Sequence, residues 1–389
     1  MIPYGRQDIT EDDLAAVRDV LTSDFLTQGP RVPEFEACVA GAVGAAHGVA
    51  ANSATSALHI ACMALGLGPG DWLWTVPNTF VASANVGIYC GAQVDFVDID
   101  PDSFNMCPDA LATKLAEADA VGRLPKVLIP VHLTGQSADM ERIGALAKRY
   151  GVRVVEDASH AIGATFAGQS VGVCNHSDIT VFSFHPVKIV TTAEGGVAVT
   201  QDADLAARMR RAASHGITRD PELMTHASDG PWYYQQIELG YNYRMTELQA
   251  ALGISQMQRL HDYVDRRAAH ARAYDDALAA LPLELPWQDP RSRSAWHLYV
   301  IRLNLDEIGL SHRAVFEELR AAGLGVNLHY IPVHTQPYYR GFGFSEGDFP
   351  NAEAYYARAI SIPLFATMTV AQRDEVVNTL TQTLTGAGA

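Results

Sequence analysis

The chain has 389 residues, 48% of them hydrophobic and 19% charged, which is enough for a large buried core and two domains of ordinary globular composition. Its formal net charge of −16, from 28 basic against 44 acidic side chains, argues against a nucleic-acid or anionic-membrane surface, and no Lys/Arg run offsets it. The five cysteines (Cys38, Cys62, Cys90, Cys107 and Cys174) form no CxxC pair, no apolar run could span a bilayer, and MIPYGRQDITEDDL lacks the regions of a signal peptide. A soluble cytoplasmic protein with reduced thiols is expected.

In chain order, residues 1–9 read as an extended arm carrying Pro3 and Gly5. Thr10 with Asp13 predicts a capping box, and Leu14, Val17, Val20 and Leu21 form a helical stripe. Phe25–Pro30 breaks that helix, and a second is expected from Pro33 through Phe35, Cys38 and Val39. Gly48–Ala51 reads as a strand, Asn52–Thr55 as a small polar turn and Ser56–Leu65 as a helix. Such a turn aims free backbone N–H groups and a positive helix end at an anion, but it is equally readable as a plain N-cap. Neither GxGxxG nor a Walker A lysine is present.

Strands at Trp72–Val76, Gln93–Val97, Lys126–Val131 and Val152–Val155 alternate with helices at Val81–Tyr89, 109–119 and Met140–Tyr150. That alternation predicts a mainly parallel sheet covered on both faces. Glu156–His160 falls at a strand's carboxyl end, the edge where open α/β sheets bind ligands. Further strands are expected at 176–182 and Val197–Thr200, with a hairpin across Glu194–Gly196, and a helix at 202–213. Residues 214–243 form a long polar-aromatic loop, a functional or interface segment. One long helix is expected from Met245 to about Leu281, with the domain boundary inside it. The large domain is then 1–255. The smaller α+β domain is 256–389, with strands at His297–Leu303 and Val326–Tyr330 and helices at 311–322, 351–359 and 370–384.

The stretch VFSFHPVKIVTTAEGG, Val181–Gly196, holds one lysine, Lys188, among Val187, Ile189 and Val190. Burial there would lower its proton affinity and free a nucleophilic amine, although a lysine whose stem packs and whose head reaches water is the plainer reading. Other features converge with it on pyridoxal 5′-phosphate (PLP). Asp157 offers a carboxylate for a protonated ring nitrogen, the Asn52–Thr55 turn and Ser183 offer phosphate donors, and Phe80 offers a flat face. Each has a bland counterpart: Asp157 as a helix cap, Phe80 as core, His160 as a satisfied polar group. Ser183 and His185 lack a GxSxG elbow, and His329 and His334 lack the HExxH pattern, so neither a hydrolase nor a metal site is expected.

The ordered motifs NSATSAL, PNTFVASAN, VDIDP, VEDASHAIGA, FSFHPVKIVTTAEGG, SHG, GYNYRMTELQAALG and LHYIPVHTQPYY resemble the DegT/StrS-like sugar-nucleotide aminotransferases across nearly the entire chain. The resemblance implies the aspartate-aminotransferase (type I) fold with PLP as cofactor. It implies that Lys188 is the Schiff-base lysine, Asp157 the pyridinium partner and Phe80 the stacked residue. His160 then sits beside the ring hydroxyl, and Ala54, Thr55 and Ser183 contact the phosphate. Asn242 would reach the phosphate of the neighbouring subunit, which implies a homodimer with active sites at the interface.

Some dehydratases of the family carry histidine at the lysine position, so Lys188 implies transamination. FLTQGP, NSATSAL, SFHPVKIVTTAEGG and LHYIPVHTQPYY are most similar to the branch making UDP-4-amino-4,6-dideoxy-N-acetyl-β-L-altrosamine. That branch leads to pseudaminic acid, a sugar placed on flagellin and surface polysaccharides. The same likeness implies that Tyr4, Asp24, Phe25, Leu26, Thr27, Leu328, His329, Tyr330 and Ile331 contact substrate. The expected reaction moves the amino group of L-glutamate to a UDP-4-keto-6-deoxy-N-acetylhexosamine. The alternatives are amination at carbon 4 or 3 of another keto-deoxy sugar nucleotide, a PLP-binding regulator and a sugar dehydratase.

Overall fold

Short apolar runs bounded by turn residues become the strands of one seven-stranded sheet in the computed structural model, which describes residues 1–386. In chain order these are β1 (His47–Ala51), β2 (Trp72–Thr75), β3 (Gln93–Phe96), β4 (Val127–Leu128), β5 (Arg153–Asp157), β6 (Ile179–Ser183) and β7 (Gly196–Thr200). Their spatial order is β1-β7-β6-β5-β4-β2-β3. β7 runs antiparallel to β1 and β6, and every other pairing is parallel. β6 and β7 are buried along their whole length, as strands covered on both faces must be. The fold is therefore α/β with a mainly parallel central sheet, the type I architecture.

After the sheet come two consecutive helices, Glu247–Met257 and Leu260–Leu278, in place of the single long helix expected. At the break Arg259 (φ −106°, ψ 6°) donates from Nη2 to both oxygens of buried Asp13, at 2.9 and 2.7 Å. Burial alone would raise the Asp13 carboxyl, but bonds from Arg259, Ser255 and the Thr10 N–H bring it below its ordinary value. Asp13 thus joins the capping box at Thr10 to a tertiary anchor, while the helical stripe turns outward at Leu14 (47% exposed) and Leu21 (60%).

A three-stranded antiparallel sheet, Leu283–Glu284, Tyr299–Leu303 and Ala359–Ile362, packs with helices His312–Ala321 and Val370–Thr385 around Tyr274, Tyr299, Leu319, Ile362 and Leu380. The N-terminal arm belongs to this core: Ile2–Pro3 pairs in parallel with Leu324–Gly325. The strand expected at Val326–Tyr330 is replaced by irregular chain, bridged only at Asn327 to Ser361. The helix expected from Pro33 begins earlier, at Arg31, because the buried Glu247 carboxylate accepts the N–H groups of Arg31 (2.7 Å) and Val32 (3.3 Å).

Candidate active site

β6 and β7 form the hairpin, but the chain between them is a loop, 184–195, not a tight turn at Glu194–Gly196. The loop is braced from within: Thr192 N–H and Thr191 Oγ1 both donate to the Phe184 carbonyl, at 2.9 and 3.0 Å. Lys188 sits in this loop, its own N–H donating to the His185 carbonyl at 2.9 Å. Its side chain lines a cavity of about 850 Å³ at the carboxyl ends of the parallel strands. Burial pulls the ammonium down to about 8, with Asp157 opposing the shift.

Glu156 and Asp157 are consecutive in β5, so they point to opposite faces of the sheet. Glu156 turns away from the cavity, to His132 Nε2 at 2.7 Å and to the hydroxyls of Ser177 and Thr180. Burial alone would raise its carboxyl, and these partners bring it below the usual range. Asp157 turns into the cavity, where Ser83 Oγ donates to Oδ2 at 2.6 Å and Ser159 donates to Oδ1 from Oγ at 2.6 Å and from N at 3.1 Å.

The turn before helix Ala54–Ala64 continues this wall of the cavity. Ser53 caps the helix through the Ser56 N–H at 3.1 Å, and Ala54 and Thr55 of the first turn line the cavity. Gly196 makes this approach possible: a Cβ there would lie 2.6 Å from the Ala54 nitrogen and Cα. Ser183, 7% exposed at the end of β6, lies on the same wall, and Phe80 remains 57% exposed at the cavity edge.

His160 is buried. Its Nδ1 accepts from the Thr134 N–H at 3.3 Å, which leaves the proton on Nε2 to donate to Tyr330 Oη at 3.1 Å. Burial first, then the charges of Lys188 and His329, hold this imidazole well below its ordinary value. The Thr134–Gly135 loop presses against the segment ahead of the Tyr299 strand: the Ala295 N–H donates to Gly135 O at 2.9 Å, and a Cβ at Gly135 (φ +108°) would meet Trp296 N at 2.8 Å.

From the N-terminal arm and the later part of the chain come Tyr4, Leu328, His329 and Tyr330. Burial, with Lys188 nearby, pulls His329 down to about 3, and its Nδ1 pairs with Ser361 Oγ at 2.8 Å. The Tyr4 and His329 rings lie 5.2 Å apart. Eleven of the residues singled out from sequence therefore line one cavity: Lys188, Asp157, Phe80, His160, Ser183, Ala54 and Thr55, with Tyr4, Leu328, His329 and Tyr330.

Others are not brought there. Asp24, Phe25, Leu26 and Thr27 lie exposed on a segment bridged to Thr246, Ile331 is 47% exposed, and Asn242 is exposed and bridged to Ser214. The cavity also holds residues that the sequence reading passed over, among them Thr79, Ser159, Glu194, His297 and Asn327. Ser159 was findable, since a serine two positions after an acid at a strand end closes a local turn on it. His297, in the apolar run AWHLYV, carries no such signal.

A cavity with an amine of lowered proton affinity, a buried carboxylate and a helix N-terminus suits carbonyl–amine chemistry on a phosphorylated cofactor. Comparison with known proteins agrees. Residues 7–381 match the DegT/DnrJ/EryC1/StrS aminotransferase family. The spore coat polysaccharide biosynthesis protein SpsC of Bacillus subtilis (strain 168) is 39% identical over 389 residues, covering 99% of this chain and 98% of that protein. Helicobacter pylori PseC, an aminotransferase involved in pseudaminic acid biosynthesis, superposes with a TM-score of 0.90 at 28% identity over 99% of both chains. A Streptococcus pneumoniae protein named as a sugar aminotransferase, solved with PLP, superposes at 0.89 with 29% identity over 99% of both chains. With this cavity in this sheet, and a match along nearly its full length, the chain belongs to the DegT/DnrJ/EryC1/StrS family and is a PLP-dependent sugar aminotransferase.

Proposed function

We propose that the enzyme moves the amino group of L-glutamate to the keto group at carbon 4 of a UDP-4-keto-6-deoxy-N-acetylhexosamine, as in the pathway to pseudaminic acid. The observation that carries this reading is whole-chain likeness to PseC, combined with Tyr4 and Leu328–Tyr330 lining the same cavity as Lys188.

The residues present fit PLP. Lys188 would tether it, Asp157 would meet its ring nitrogen, and the Phe80 face would pack its ring. Ala54, Thr55 and Ser183 would take its phosphate, with His160 beside the ring hydroxyl. When bound, the cofactor supplies an electron-accepting ring that carries an amino group between two half-reactions.

The chain's own work is to hold the reactants and place protons. Lys188, with a pKa of about 8, is partly the free amine at neutral pH, and it takes the proton from the α-carbon of glutamate. It returns a proton at carbon 4 of the sugar when the second half-reaction runs. 2-Oxoglutarate leaves in the first half by hydrolysis, which takes up one water, and the amino sugar leaves in the second, where the keto oxygen is released as water.

A homodimer is part of the same proposal. Its support is the apolar surface left open at Leu14, Leu21, Phe25, Leu26, Trp232 and Leu239, and Asn242 lying away from its own cavity. Asp24–Thr27, Ile331 and Asn242 would then complete a shared site. A cytoplasmic setting fits five free thiols, and no helix among the described residues is long and apolar enough to cross a membrane. The division at residue 255 into PLP-binding and C-terminal domains stands as a proposal too.

Incubating the holoenzyme with glutamate and a panel of keto-sugar nucleotides, followed by mass analysis, tests the reading. An amino sugar from the UDP-4-keto substrate is expected, and none from it overturns the assignment. The higher identity to SpsC, at 39%, favours a second reading in which another keto-deoxy sugar nucleotide is aminated at carbon 4 or 3; the same panel separates the two.

A further inference from the structure

Asp157 is held by more hydrogen bonds than are needed to place it. Ser83 Oγ lies 2.6 Å from Oδ2 and 2.9 Å from Thr79 Oγ1, and all three side chains are buried. The single hydroxyl hydrogen of Ser83 goes to the carboxylate, so the Thr79 hydroxyl must donate to Ser83. On the other side Oδ1 faces two donors, the hydroxyl and the N–H of Ser159. We infer that Ser83, backed by Thr79, is a positioning residue that keeps the proton shared between Asp157 and the cofactor on the ring nitrogen. The inference rests on Asp157 being the ring-nitrogen partner.

A neutral Asp157 would weaken this wiring. Its proton would point at the ring nitrogen, and Ser83 and Ser159 would then donate to an uncharged carboxyl in place of an anion. Hydrogen bonds to an ionised acceptor are among the stronger ones, so the relay favours the anion and hence the ring cation. Thr79, Phe80 and Ser83 also share one turn, closed by Ser83 N–H to Phe80 O at 3.3 Å. The face that packs the ring and the donor that sets its protonation are therefore one rigid piece.

The test reads the visible absorption of the bound cofactor against pH in the holoenzyme. A proton on the ring nitrogen withdraws electrons from the nitrogen that Lys188 shares with the cofactor and lowers its proton affinity. Ser83→Ala should therefore raise the midpoint of the band's pH titration by roughly one unit. Thr79→Val should move it the same way by less. Ser159→Ala should have a small effect, because the backbone N–H remains on Oδ1. An unmoved midpoint in Ser83→Ala, or in Thr79→Val should the first variant not fold, overturns the inference. So does a drop in melting temperature and cofactor content with no change of midpoint, the sign of a merely structural role. Asp157→Asn separates the two levels: an unmoved midpoint there removes the role of Asp157 itself, whereas a raised one beside an unmoved Ser83→Ala removes only the part given to Ser83.

Discussion

The two walls of the cavity are built differently. One is made of sheet ends and a helix start: Asp157 and Ser183 are the last residues of adjacent paired strands, and Ala54 opens a helix pressed against β7. The other is irregular chain, Tyr4 and Leu328–Tyr330, anchored by side-chain bonds such as His329 to Ser361 and His160 to Tyr330. Backbone registry allows little relaxation in the first wall, whereas the second can be reshaped by a few substitutions. In the proposed reaction the cofactor contacts Asp157, Ser183 and Ala54 thus sit on paired strands and a helix start, and the sugar contacts Tyr4 and Leu328–Tyr330 on irregular chain.

Substitutions should divide along that line. Lys188→Ala is the harshest: turnover should fall by at least about 10³-fold, with the circular dichroism of the folded chain retained. Normal amino-sugar formation in that variant would remove the central claim. Next is Gly196→Val, which forces atoms against Ala54; a stability loss of about 1–3 kcal/mol is expected, together with weaker cofactor binding whichever sugar is supplied. A melting curve and a cofactor titration check both halves of that statement.

A gentler probe is pH. As the proposed cofactor-binding amine, Lys188 would react in its unprotonated form, and burial brings its pKa to about 8 from the ordinary 10.5. Uptake of PLP by the apoprotein should thus slow about tenfold per unit as pH falls below 8 and level off above it. A plateau reached only near 10.5 would mean that the lysine is not desolvated. Tyr4→Phe should do least: a rise of roughly severalfold in KM for the sugar nucleotide, with the cofactor spectrum unchanged. If it altered the spectrum instead, the contrast between the walls would blur.

Local pattern made most of the sheet legible. The apolar runs at Trp72–Thr75 and Ile179–Ser183 are bounded by turn residues, and Met140–Tyr150 matches its helical periodicity end to end. Misreadings arose where distant chain intervenes. Arg31 enters its helix because Glu247, far along the sequence, accepts its N–H, and the break before Leu260 lies where Arg259 meets Asp13. The stripe at Leu14 and Leu21 is helical as its spacing indicates, yet exposed, because periodicity reports that a face is apolar and not what covers it.

The amino-acid sequence by itself determined the alternating strands and helices, the lone lysine in an apolar stretch and the acid at a strand's end, since each is written in neighbouring residues. Only the tertiary structure decided that Asp157 and not Glu156 faces the cavity, that the arm at Ile2 joins the C-terminal core, and that Ser83 and Thr79 stand behind the carboxylate. Those outcomes depend on which distant groups meet in space, and hydrogen-bond partners many residues apart leave no period in the chain that joins them.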